Sequence, residues 1–380
     1  MPILAKSMAQ PTLQRLPRAT HTALVATLIS GLLAGLLASS AAHARGLIRD
    51  AETESLIREY AGPIFSAAGL GSQNIKIHLV NDKSFNAFVV DGQNMFMHAG
   101  TLMNSKTPNQ VIGVIAHEAG HITGGHLARL RSQVAQMKST ALALQVLGLA
   151  AAIGGSLAGV PNAGQLGMGA IAGGSDVAMR SFMAYRQTEE SAADQAGMSF
   201  LNSTRQSGRG MLETFEVLAN QLRGIKGINP YLMSHPLPQT RISQLRALVE
   251  SSPYYDAEDP PELQYRHDLM RAKLSGFLEK PEASLNRYRE DDTLAGTYAR
   301  AIATYRKSGV DAAMPYLNRL IEAQPRWPYF YETKGQFLFE SGRGREAIGP
   351  LRKAVELAPH EALIQIMLSQ AMLSTCLLYT

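Results

Sequence analysis

The apolar positions first gather in three short, β-rich runs at residues 75–80, 86–90 and 94–98, set apart by the turn signals Asn81-Asp82 and Asp91-Gly92. They predict a small antiparallel sheet. Thr107-Pro108-Asn109-Gln110 then combines an N-cap threonine, a proline at the first helical position and a glutamine at the capping-box position. A helix is predicted from there through Val111, Val114 and Ile115 to His117 and His121. Residues 139–175 carry no charge and are dominated by glycine and alanine. Their length would permit a membrane helix. Gly154-Gly155, Pro161-Asn162 and Gly173-Gly174 interrupt the stretch and large apolar residues are sparse, so a flexible hairpin able to touch lipid or unfolded substrate is predicted instead. A further helix is predicted over residues 176–201.

Residues 253–261, rich in proline and acid, read as a linker. Beyond it the sequence matches itself at an offset of 34, pairing Ala301 with Gly335, Tyr305 with Phe339, Ala313 with Ala347, Leu317 with Leu351 and Pro325 with Pro359. Those are the small, aromatic and proline positions of tetratricopeptide repeats, which stack into a concave peptide-binding surface. Residues 265–289 read as a degenerate first repeat, and 361–374 as the first helix of an unfinished third. The predicted architecture is an α+β domain at 45–252 followed by an all-α solenoid at 262–375. Residues 376–380 back-translate to the end of a transposon-derived sequencing adapter. They are expected to be an artefact that truncates the repeats.

A chain of 380 residues has room for two such cores. Its formal charge of +5 includes Lys6, Arg15 and Arg18, which stand in an N-terminal stretch without acids. Ahead of an uncharged run at 22–42 and the small-x-small site Ala42-His43-Ala44, they read as a cleavable export signal over residues 1–44. An uncleaved membrane anchor is the alternative. The remaining charge is too small to point to nucleic acid as a partner. Cys376 is the only cysteine, so no internal disulfide can staple an exported chain.

His117-Glu118-Ala119-Gly120-His121 carries the chemistry. Histidines four apart share one helical face and can offer nitrogens to one zinc ion, while Glu118 stands placed to take a proton from the attacking water. A catalytic zinc needs a third protein ligand. His126 resembles the third histidine of the metzincin pattern but arrives one residue early, and on a continuing helix it points about 180° away from His117. Glu190 is the stronger candidate, with Asp194 one turn later able to orient a ligand histidine, although Glu189 is adjacent. His235 precedes Pro236 and Pro238 in a segment too rigid to continue a helix, and such a loop could carry an imidazole to the metal. There it would either displace the water or support the transition state.

His117-Glu118-x-x-His121 followed by Glu190-x-x-Ala193-Asp194 resembles the HtpX and CAAX-prenyl endopeptidase group of gluzincins, a likeness that extends to Asn86-Ala87-Phe88 and to Ser234-His235-Pro236 with Arg241. The resemblance implies a zinc endopeptidase domain. Together with the export signal and repeats it implies quality control in the envelope, acting on unfolded or stalled outer-membrane proteins and engaging their assembly machinery through the repeats. It favours a latent role for His235, with Arg241 beside it. Peptide is expected to lie along an exposed edge strand at 94–98. Two other readings stand: a non-catalytic chaperone or scaffold with a structural zinc, and another exported zinc hydrolase.

Overall fold

The computed structural model describes residues 46–71, 75–90, 92–157, 163–221 and 230–376, so the expected export signal and residues 377–380 lie outside the described residues. Strand β1 (Leu47–Ile48) leads into helix α1 (Ala51–Ala67), which Asp50 caps by accepting from the Thr53 amide at 2.8 Å. Strands β2 (Lys76–Val80), β3 (Ala87–Val90) and β4 (Asn94–His98) follow where the β-rich runs predict them.

The sheet is mixed and not antiparallel throughout. Its order is β1-β2-β4-β3, with β2 parallel to β4 and the other pairs antiparallel. Strands β3 and β4 pair antiparallel, but the connection from β2 carries β3 past the neighbouring place, which β4 takes. Asp82 fixes that connection by accepting from the Ser84 amide and hydroxyl. One consequence corrects the expected substrate edge. Strand β4 is paired on both sides, and β3 is the open edge that lies against the helix carrying His117.

Helix α2 (Ala99–Asn104) leads to α3 (Pro108–Gly124), the central helix. Thr107 caps α3 and Pro108 opens it, while the Gln110 side chain reaches back to the Lys106 amide at 2.6 Å, one residue beyond the usual capping-box partner. Val111, Ile115 and Ala119 share one buried cluster with Leu56 and Tyr60 of α1, Met95 and Met97 of β4, and Phe215 of α6 (Arg209–Gln221). Helices α4 (His126–Leu157) and α5 (Ala163–Ser203) pack along one another, and α5 also crosses α3. The helical conformation runs through Gly154-Gly155 and Gly173-Gly174, correcting the expected flexible hairpin. Each interior glycine costs about 1 kcal/mol relative to alanine, which packing of the two arms offsets. Pro161-Asn162 falls outside the described residues, and among those described no helix is long and apolar enough to cross a membrane. Short α7 (Pro230–Ser234) and α8 (Gln239–Glu250) complete this part.

Residues 253–261 are tied down: Asp259 accepts from the Asn109 amide at the start of α3, and the Tyr255 carbonyl accepts from Ser207. Helices α9 (Pro261–Leu278), α10 (Pro281–Arg287), α11 (Leu294–Ser308), α12 (Val310–Ala323), α13 (Pro328–Glu340), α14 (Gly344–Leu357) and α15 (Ala362–Cys376) follow, and chain neighbours pack on one another. Helices α11, α13 and α15 begin 34 residues apart, as do α12 and α14. Helix α9 serves both cores, giving Met270 and Leu274 to the sheet side and Leu269 and Ala272 to the helical side.

Candidate functional site

One turn apart on α3, His117 and His121 point their Nε2 atoms at a common place, 3.1 Å from each other. Helix α5 brings Glu190 to the same place, 3.4 Å from His117 Nε2 and 3.5 Å from His121 Nε2. The loop after α7 adds His235, whose Nδ1 lies 3.3 Å from His117 Nε2 and 3.1 Å from Glu190. One donor atom from each of these four residues lies within 4.8 Å of all the others. Nitrogen and oxygen ligands about 2.05 Å from a tetrahedral zinc are separated by about 3.3 Å, near the 3.1 Å between the two Nε2 atoms and the 3.4 and 3.5 Å from them to the Glu190 carboxylate. The donor set therefore suits a single small cation.

Each α3 histidine is held from behind. His117 Nδ1 lies 2.9 Å from Asp194, and Arg241 grips the same carboxylate at 2.6 and 2.8 Å while reaching Glu190 at 2.8 Å. A third Arg241 contact goes to the Pro236 carbonyl at 3.0 Å, so this buried guanidinium ties the His235 loop to α5. Arg186 of α5 holds the Ser234 carbonyl on the other side of His235. His121 Nδ1 lies 2.8 Å from His126 Nδ1. This corrects the reading of His126 as facing away, because α3 does not continue. It stops at Gly125 in a left-handed conformation (φ +63°), and the chain turns His126 back over its own helix end. The pair Gly124-Gly125 was the sequence signal for that stop. Adjacent carboxylates then divide: Glu190 joins the four-residue group, and Glu189 lies 3.4 Å from His126 Nε2.

Burial opposes charge on His117, yet its contacts with Asp194 and Glu190 prevail and raise it to about 9, whereas burial dominates at His121 and lowers it to about 3. Burial also resists ionisation of Glu190, but the surrounding His235, His117 and His121 hold its carboxyl well below the usual range. A negative Glu190 among imidazoles suits a cation centre. Glu118, on the helix between the two histidines, is buried and burial pushes its carboxyl up. Its Oε1 has no hydrogen-bond partner among the described residues and lies 3.5 Å from His235 Nε2. Tyr231 stacks on the His235 ring at 4.6 Å, a neighbour that sequence reasoning missed.

A cleft of about 310 Å³ opens onto the group, lined by Phe88 and Val89 of β3, Ile122, Leu127, Leu130 and Tyr185 around Glu118 and His121. An apolar cleft beside an open strand edge can take an extended chain by backbone pairing.

The sequence model of Peptidase family M48 matches residues 48–249. The chain is 26% identical over 304 residues to the beta-barrel assembly-enhancing protease of Yersinia pestis, covering 77% of this chain and 60% of that protein. It is 25% identical over 337 residues to the beta-barrel assembly-enhancing protease of Escherichia coli (strain K12), covering 86% and 66%. The metalloprotease LoiP of the same strain is 28% identical over 193 residues, half of this chain and 70% of that protein. The chain thus spans less than two thirds of the length of the two assembly-enhancing proteases.

Proposed function

The chain belongs to peptidase family M48, and from that premise we propose that it is an exported zinc endopeptidase hydrolysing unfolded or misassembled outer-membrane proteins. The observation that carries the proposal is the four-residue donor group gathered at one place, with a buried carboxylate beside it. His117, His121 and Glu190 are the proposed ligands. Three nitrogen and oxygen donors without thiolate suit a catalytic zinc, which normally keeps a fourth position for water or substrate. When bound, zinc supplies a Lewis acid that polarises a carbonyl and makes water more acidic.

The chain's own residues supply the rest. Glu118 accepts a proton from the attacking water and returns it to the leaving amine, a task suited to a carboxyl raised by burial. Asp194 fixes the ring of His117, and Arg241 neutralises and positions both carboxylates of α5. His235 takes the fourth place in the resting enzyme, keeping it latent until the loop between α7 and α8 moves. Strand β3 pairs with the peptide and the apolar cleft receives one of its side chains.

The names of the relatives in Yersinia pestis and Escherichia coli support envelope substrates. The helix pairs that recur every 34 residues support tetratricopeptide-type binding of substrate or of the outer-membrane assembly machinery. Exposed Leu142, Val146 and Leu147 in the uncharged stretch of α4, with Met179 and Met183 just beyond that stretch on α5, support peripheral membrane contact. A scaffold with a structural metal has no use for Glu118, which weighs against that alternative. The decisive experiment offers the purified chain casein, an unfolded outer-membrane protein and cell-wall peptides, each with and without a chelator. Cleavage of the two proteins, abolished by chelator and restored by zinc, is the expected result. Cleavage of cell-wall material alone would favour the other exported hydrolase, and no cleavage of any substrate would favour the scaffold.

A further inference from the structure

We propose that His126, backed by Glu189 and Arg129, is a positioning residue that fixes the ring of His121 and thereby sets the affinity of the centre for its metal. The inference rests on the reading of His121 as a ligand. The ring of His121 turns Nε2 toward His117 and Glu190, so the hydrogen belongs on Nδ1, where His126 Nδ1 accepts it at 2.8 Å. That leaves the hydrogen of His126 on Nε2, the nitrogen that lies 3.4 Å from Glu189 Oε2. Arg129 in turn donates to the same Glu189 oxygen from Nη2 at 2.9 Å and Nε at 3.3 Å. The line of polar contacts runs from a half-exposed arginine through Glu189 and His126 to His121.

The backbone is shaped to hold this line. His126 is the first residue of α4, and the helix stop at Gly125 brings its ring over the end of α3. A Cβ at Gly124 would lie 2.1 Å from His126 Nε2, so the ring occupies the space that glycine leaves. Neighbouring residues of α5 serve the two layers, Glu190 in the donor group and Glu189 behind His126. His117 has a carboxylate directly behind it, whereas His121 has a carboxylate one imidazole removed.

Zinc affinity measured by chelator competition tests the proposal, together with the visible spectrum of the cobalt-substituted protein and thermal unfolding of the metal-free protein. His126→Leu removes the hydrogen bond to His121 and the polar contact with Glu189 at similar volume and is expected to weaken zinc binding about 10- to 100-fold and to alter the cobalt spectrum. His126→Asn keeps an acceptor near the Nδ1 position and is expected to stay within about threefold of the parent, with the parent's cobalt spectrum. Arg129→Ala, at the exposed end, is expected to change affinity by about twofold at most. Metal-free unfolding midpoints should agree between parent and variants. If His126→Leu binds zinc as tightly as the parent, or His126→Asn is as weak as His126→Leu, the positioning role is overturned. A lowered metal-free midpoint in His126→Leu leaves the decision to His126→Asn, whose rescue supports the role and whose failure overturns it. A parent that binds no zinc would overturn the underlying metal reading as well, which separates the two failures.

Discussion

Glu189 and Glu190 stand side by side on α5, and the 100° between successive helical residues gives them different work. Glu190→Gln should weaken zinc binding by more than the 10- to 100-fold expected of a residue behind a ligand, because it removes the one charged donor of the proposed ligand set. Chelator competition on Glu190→Gln and His126→Leu makes the comparison; a larger loss in His126→Leu would move the third ligand to that histidine. His235→Ala should raise basal proteolysis or self-cleavage several-fold with zinc retained, because the imidazole that occupies the fourth place is gone. A fall in activity with zinc retained would instead give His235 a part in stabilising the transition state. His117, His121, Glu190 and Asp194 were legible because i and i+4 spacing marks one face of a helix. His126 was not, since a single left-handed residue, Gly125, reverses the face that a continuing helix would give it.

The crossing of α3 on α5 is what turns two helical faces into one site. A Cβ on Gly120 would lie 2.6 Å from the Ala193 carbonyl oxygen, and one on Gly197 would lie 3.2 Å from the Ala116 carbonyl, so glycine on both helices permits the close approach. Gly120→Ala should therefore destabilise the metal-free protein by about 1–3 kcal/mol and weaken zinc binding, because α5 must back away with Glu190 and Asp194. Thermal unfolding and zinc titration of the same sample check this, and an unchanged affinity would show that α5 need not sit so close. The start of α3 was legible from Thr107 and Pro108, whose capping chemistry is local. The parallel pairing of β2 with β4 was not, because strand order depends on how residues 81–86 route the chain. The helix over 176–201 was legible and falls within α5, but the glycine-rich stretch at 139–175 was misread because glycine propensity is a local signal, while the packing that overrides it is tertiary.

Across the whole molecule, the sheet part and the helical stack meet around Lys273 of α9, buried 2.5 Å from Asp50, 3.3 Å from Glu52 and 3.6 Å from Glu332 of α13. The 34-residue period was legible, but this junction was not, since nothing periodic links Glu52 to Tyr298, whose hydroxyl donates to it. Burial, opposed by Lys273 and assisted by Asp50 and Glu52, pushes Glu332 up to about 7 from an ordinary value of 4.5. Between those values the folded chain keeps a proton that the unfolded chain has lost, so this contribution to stability is present below about 4.5 and lost as pH rises through about 7. Glu332→Gln should then raise stability at pH 8 by on the order of 1–3 kcal/mol and change it little at pH 5. Urea unfolding at the two pH values checks the sign, and a lower midpoint at pH 8 would show that Lys273 needs this carboxylate. The central claim, that the whole chain is a zinc peptidase with Glu118 as its base, is tested most directly by measuring metal content and casein cleavage on one sample of Glu118→Gln. The ligands remain while the proton acceptor is lost, so zinc content should match the parent and cleavage should fall about 100-fold or more. Unchanged cleavage by the zinc-loaded variant would contradict the account.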